Sequence, residues 1–174
     1  IRYRLVGSEM CIRDRNLLFI TEIILSIGVM IIILVDLFFQ KQKGLSFALV
    51  QILLLIAAYY SLNHNLSLNY SAYTLNEFTN IFKFILLIGS LTIFHYTYKH
   101  LKFLKILKIE YFTISLLGLI GTMIMISANS LLMLYLGIEL LSLSLYALIG
   151  FNKKSSLSSE AAIKYYVLGA MSSG

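Results

Sequence analysis

The sequence has no proline and a single cysteine, and only 13% of its 174 residues are charged. Without proline, no helix carries a built-in kink or a fixed break. With Cys11 alone, neither an internal disulfide framework nor a cysteine-based metal site can form. A soluble domain typically has about a quarter of its residues charged. The shortfall, together with 59% hydrophobic residues and a mean hydropathy of +0.87, places the chain among polytopic membrane proteins. Arginine is absent from residues 16–174, whereas residues 1–15 (IRYRLVGSEMCIRDR) hold four arginines, Arg2, Arg4, Arg13 and Arg15. That opening stretch lacks the apolar core of a secretory signal. It resembles a translated adaptor or assembly artefact and is set aside as a non-native leader, residues 1–15.

What is present is a series of apolar runs of membrane-crossing length, for which roughly 20 residues suffice. The runs are Leu17–Phe39, Leu45–Leu62, Phe78–Tyr98, Tyr111–Ala128 and Ser130–Phe151. A sixth begins near Ala161 and stops at Gly174, too short to cross as a helix. The expected fold is an all-α polytopic membrane protein with five transmembrane helices and a truncated sixth. The expectation is therefore of a fragment. Residues 16–110 are expected to hold three helices and a basic loop, and residues 111–174 the remaining apolar runs, the last of them truncated.

The connections alternate in charge. Lys41 and Lys43 follow the first run, and Lys99, Lys102, Lys105 and Lys108 follow the third. Lys153 and Lys154 follow the fifth. The segment from Asn63 to Glu77 has no lysine or arginine, and the fourth and fifth runs are separated by little more than Asn129. By the positive-inside rule the basic loops face the cytoplasm or matrix, and the first run enters from outside. The formal charge of +6 lies mostly at these membrane ends, which gives no basis for nucleic-acid binding. The lysines between 99 and 108 also fit a surface-lying amphipathic segment, although an ordinary basic loop accounts for them more simply.

Five ionisable residues fall within or at the edge of apolar runs: Glu22, Asp36, Lys83, Glu139 and Lys164. Asp36 can reach the interface and pair with Lys41 or Lys43. Glu22 reads as a boundary residue partnered by a neighbouring helix. Lys83 defies the charge bias of its outward end, and Glu22 and Glu77 stand at its level as partners. Glu139 lies too deep to snorkel to either surface, and an acid at that depth costs a few kcal/mol. Tyr135, Glu139, Ser142 and Tyr146 form a polar stripe at helical spacing, which should face partners or water. Lys164 follows Glu160 at i,i+4, a favourable helix pair. The alternative is a proton relay between Lys164 and Glu139. No histidine pair has metal or haem spacing, and no phosphate loop or nucleophilic triad is present, so proton transfer is the available chemistry.

The run LYLGIEL-x-SLSLY, then a short basic loop, then SSEA-x-x-KY-x-x-LGA-x-SSG, resembles membrane subunit N of the NADH–quinone oxidoreductases. Its mitochondrial counterpart is NADH dehydrogenase subunit 2 of respiratory complex I. NEFTNIFKFILLIGS is similar to the family's third helix, including its lysine, though Asn76 stands where an acid is common. Glu22 resembles an early family glutamate, but follows Thr21 where proline is usual.

The resemblance implies the N-terminal part of an antiporter-like fourteen-helix fold with two inverted repeats, residues 111–174 being the truncated start of the first. It implies Glu139 and Lys164 as proton-relay residues, with Lys83 a third candidate and the first repeat's central lysine beyond Gly174. It implies no cofactor or metal in this chain; NADH, quinone, FMN and iron–sulfur clusters belong to other subunits. The implied partners are the other membrane subunits of complex I and the lipid of a bacterial or mitochondrial inner membrane. Two alternatives stay open: a cation/proton antiporter subunit of the same superfamily, and a structural membrane component whose buried charges serve assembly.

Overall fold

The computed structural model describes residues 20–38, 43–63, 68–69, 73–104, 107–152 and 155–173. Residues 1–15, expected to be a non-native leader, lie outside them, as do Lys41, Lys105, Lys153 and Lys154 and the side chain of Lys43. The described residues form six helices: α1 (Ile20–Phe38), α2 (Lys43–Asn63), α3 (Glu77–Phe103), α4 (Glu110–Ile126), α5 (Leu131–Ile149) and α6 (Ser156–Ser173). Between α2 and α3 the strands β1 (Leu68–Asn69) and β2 (Thr74–Leu75) pair antiparallel, Leu68 opposite Leu75 and Asn69 opposite Thr74. Helices α1, α2, α3 and α5 are long and apolar enough to cross a membrane, and α4 is apolar at 17 residues. The chain is a multi-pass membrane protein.

Helix ends differ from the apolar runs in several places. Helix α3 continues to Phe103, so Lys99, His100 and Lys102 sit on a helix and not in a loop. Its 27 residues extend about 40 Å at the helical rise, beyond an apolar core of roughly 30 Å. Loss of apolarity marks where a helix leaves lipid, not where its hydrogen bonding ends. His100 and Lys102 occupy the last turn, where cations complement the helix dipole. Helix α6 starts at Ser156, five residues before its apolar run, because Ser155 and the following serines are compatible with a helix start. The Ser158 N–H donates to Ser155 Oγ at 3.4 Å. Helix α4 ends at Ile126 rather than Ala128, and Ser127–Asn129 make the turn into α5. Ser130 caps α5, its Oγ accepting from the Met133 N–H at 3.3 Å.

Helix α1 packs on α2 and α4, α2 on α3, α3 on α4, α4 on α5, and α5 on α6. The buried stripes have helical period: Leu25, Val29 and Ile32 on α1, Val50, Leu54 and Ala57 on α2, and Lys83, Leu87 and Phe94 on α3. Phe112, Leu116 and Met123 of α4 are fully covered, which makes α4 the central helix. At the basic-loop end, Phe47 stacks on Tyr98 with centroids 4.0 Å apart, and Phe112 meets both Phe47 and Phe94.

In lipid the hydrophobic effect does not drive helices together, so close backbone approach and packing must do so. The α4–α5 contact is built on glycine. A Cβ on Gly121 would stand 2.9 Å from the Gly137 carbonyl oxygen and 2.9 Å from the Leu141 nitrogen. A Cβ on Gly137 would stand 2.9 Å from the Gly121 oxygen. These are backbone atoms with no rotamer to yield. Gly121→Ala in the full-length subunit is therefore expected to destabilise by about 1–3 kcal/mol, as overpacking does. It should be read as a lower thermal midpoint of the purified membrane protein. Ser130→Ala, which removes the α5 cap, should cost about 1 kcal/mol in the same measurement.

A buried acid–phenol–base cluster and a half-buried glutamate

Lysine on a buried helical stripe must find a counter-charge or lose its own. Lys83 lies two turns into α3, 1% exposed, and its Nζ donates to Glu22 Oε1 at 2.6 Å. The same Nζ donates to the Tyr73 hydroxyl at 2.6 Å, and that hydroxyl donates to Glu22 Oε1 at 2.7 Å. Glu22 is 5% exposed and Tyr73 1%. Acid, phenol and base thus close a ring of three contacts drawn from α1, the α2–α3 connection and α3. Of the two partners at the level of Lys83, Glu22 is the one engaged, while Glu77 is exposed in the first turn of α3. Glu22 Oε2 is buried and has no hydrogen-bond partner among the described residues.

Tyr73 is held by its backbone. It forms an isolated antiparallel bridge with Ala128, and the next residue, Thr74, donates its N–H to the Ser127 carbonyl at 2.9 Å. The extended segment is thereby strapped onto the α4–α5 turn, and Tyr73 and Leu75 pack there with Met133 of α5. Burial, and after it the Glu22 carboxylate, pushes the Tyr73 phenol well above its ordinary range. The phenol therefore keeps its proton and serves as a neutral donor to the acid.

Glu139 is at the centre of α5 and half-buried. Among the described residues its carboxylate has no ion pair. At 100° per residue, Gly137 and Ser144, the buried residues of α5, lie on the face toward α4. Tyr135, Glu139, Ser142 and Tyr146 form the opposite face, turned away from α1–α4. The edge of the Tyr146 ring meets Tyr165 and Tyr166, so α6 covers part of that face. Lys164 is exposed and pairs with Glu160 at 2.5 Å. The structure thus brings Lys83 to Glu22 and Lys164 to Glu160; it does not place Lys164 against Glu139 among the described residues. Asp36 accepts from Ser46 Oγ at 3.5 Å.

A groove of 420 Å³ runs between α3, α4 and α5, lined by Leu86, Ser90, Gly118, Leu119, Leu141 and Ser144 among others. Its lining carries no ionisable side chain, so it adds nothing to proton transfer. Tyr73 was not evident from the sequence. It is one of 12 tyrosines, in an uncharged connection with no periodicity, and only the strap turns it inward.

Residues 128–174 match a family model described as NADH:quinone oxidoreductase/Mrp antiporter, TM. NADH-quinone oxidoreductase subunit N of Ruthia magnifica is 37% identical over 158 residues, 88% of this chain and 33% of the relative. The subunit N of Thioalkalivibrio sulfidiphilus is 39% identical over 150 residues, 82% of this chain and 31% of the relative. Among solved structures, a chain of respiratory complex I from Thermus thermophilus with bound aureothin matches at a TM-score of 0.67 and 23% identity. That match covers 88% of this chain and 34% of the other, and shows the shared fold. The chain spans about a third of the length of these relatives. Over most of its length the chain is similar to NADH–quinone oxidoreductase subunit N, and residues 128–174 match the model of the wider NADH:quinone oxidoreductase/Mrp antiporter family.

Proposed function

We propose that this chain is part of a proton-translocating membrane subunit of an NADH–quinone oxidoreductase, working in a bacterial or mitochondrial inner membrane beside other membrane subunits. The observation that carries this reading is likeness to subunit N across most of the chain, joined to ionisable side chains inside apolar helices. Such residues are expensive in lipid and mark ion pathways by default. Electrons pass from NADH to quinone in other subunits, which hold the FMN and iron–sulfur clusters; this chain handles protons only. Glu139, alone at mid-helix on a polar face, is the group whose charge state responds to what packs against α5. Lys164, on the next helix, is its proposed basic counterpart; it exchanges its i,i+4 partner Glu160 for Glu139 when the relay is charged. Lys83 is the third proton-carrying candidate.

The matching family model covers antiporters as well, so ion dependence is part of the test. In the full-length subunit within the assembled enzyme, Glu139→Gln is expected to lower NADH-driven proton pumping in sealed vesicles severalfold, with the amount of assembled enzyme retained. Lys164→Met should lower pumping in the same direction. Undiminished pumping in Glu139→Gln overturns its role. Pumping that requires added sodium or potassium, without NADH oxidation, favours the antiporter reading.

A further inference from the structure

The Glu22–Tyr73–Lys83 ring has a geometry that charge neutralisation alone does not require. A two-residue ion pair would satisfy Lys83, and a buried pair is in any case weak evidence of stabilisation, since apolar residues of similar volume often do as well. Here a phenol is strapped into place by backbone contacts to a turn distant in sequence, and its oxygen contacts both charged groups. Meanwhile Glu22 Oε2 is left buried and unpartnered among the described residues, which costs about 1–3 kcal/mol for a polar group. The cluster thus gathers its contacts on one carboxylate oxygen.

We propose that Glu22, Tyr73 and Lys83 form a proton-holding station at the end of the bundle that the loop charges assign to the outside, with Tyr73 positioning the base against the acid. The proposal rests on the proton-translocating reading above. In the bridged transfer, an Nζ–H bond of Lys83 breaks as its proton forms a bond to the Tyr73 oxygen. The Tyr73 O–H bond breaks as its own proton bonds to Glu22 Oε1. The phenol is restored, Lys83 becomes a neutral amine, Glu22 becomes a neutral acid, and the summed charge is unchanged. The direct 2.6 Å contact from Lys83 to Glu22 reaches the same end state. The neutral pair then accepts a proton on Lys83 and gives one up from Glu22, and the starting ion pair is regenerated with one proton moved.

The test is Tyr73→Phe in the full-length subunit of the assembled enzyme. The change keeps the ring and the backbone strap and removes the hydroxyl that contacts Lys83 and Glu22. The expected result is wild-type assembly, a severalfold fall in NADH-driven proton pumping, and a changed ratio of pumping rates in H₂O and D₂O. Wild-type pumping with a wild-type ratio overturns the proposal. A slower rate with an unchanged ratio also overturns it, because it gives the hydroxyl a purely structural role. If Tyr73→Phe fails to assemble, 3,5-difluorotyrosine at position 73 keeps the hydroxyl and nearly the size while making the phenol more acidic. The station then requires a changed isotope ratio, and an unchanged one overturns it. Glu139→Gln measured alongside separates the two readings: loss of pumping there with a wild-type Tyr73→Phe enzyme removes the station and leaves the subunit's proposed function standing.

Discussion

The structure depends on giving a buried lysine polar partners inside an apolar helical bundle. Lys83 lies on the same stripe of α3 as Leu87 and Phe94, so packing that stripe buries the ammonium with them. Removing one partner of such a pair leaves an uncompensated buried charge, at a cost of about 3–5 kcal/mol. That constraint links Glu22 of α1 to Lys83 of α3 and draws the α2–α3 connection inward to Tyr73. Through Thr74 and the bridge to Ala128 it also ties this connection to the turn between α4 and α5. One ionic contact thus organises the outer end of the bundle, while aromatic stacking around Phe47 and Phe112 closes the other.

A second constraint acts between α4 and α5. Gly121 and Gly137 let the two backbones approach so closely that neither position has space for a side-chain carbon. Fixing that face of α5 fixes the opposite one: Glu139 and its polar stripe must turn away from α1–α4. The acid is therefore held on a rigid helix, capped by Ser130, on the side where Tyr146 meets α6. The two charged features are thus separated, Glu22–Tyr73–Lys83 within the α1–α4 core and Glu139 on its far side, but the Tyr73 strap reaches the turn that leads into the Glu139 helix.

Much of this was legible in advance. Apolar run length located α1, α2 and α5 to within a few residues, because a membrane helix must be continuously apolar over a known length. It failed at Lys99–Phe103 and at Ser156–Glu160, where helices run on through polar sequence that lipid does not select. The strands at Leu68–Asn69 and Thr74–Leu75 were invisible, since two residues carry no alternation to read. Glu22 and Glu77 were equally plausible partners for Lys83 from sequence; helix rotation buried the first and exposed the second. The polar stripe through Glu139 was legible from helical spacing, but spacing is silent on which direction that stripe faces.

What the sequence by itself determined is the order and approximate extent of the described helices, the likeness to subunit N, and which ionisable residues lie within apolar runs. These follow from local composition and from the cost of charge in lipid, both of which act along the chain. Only the tertiary structure decided which charges meet. It brought Tyr73 between Glu22 and Lys83 and turned Glu139 away from the four-helix core, whereas the Lys164–Glu160 pair is local to one helix. Those outcomes depend on helix rotation and on backbone approach between segments far apart in sequence, set by Gly121, Gly137 and the strap at Ser127–Ala128.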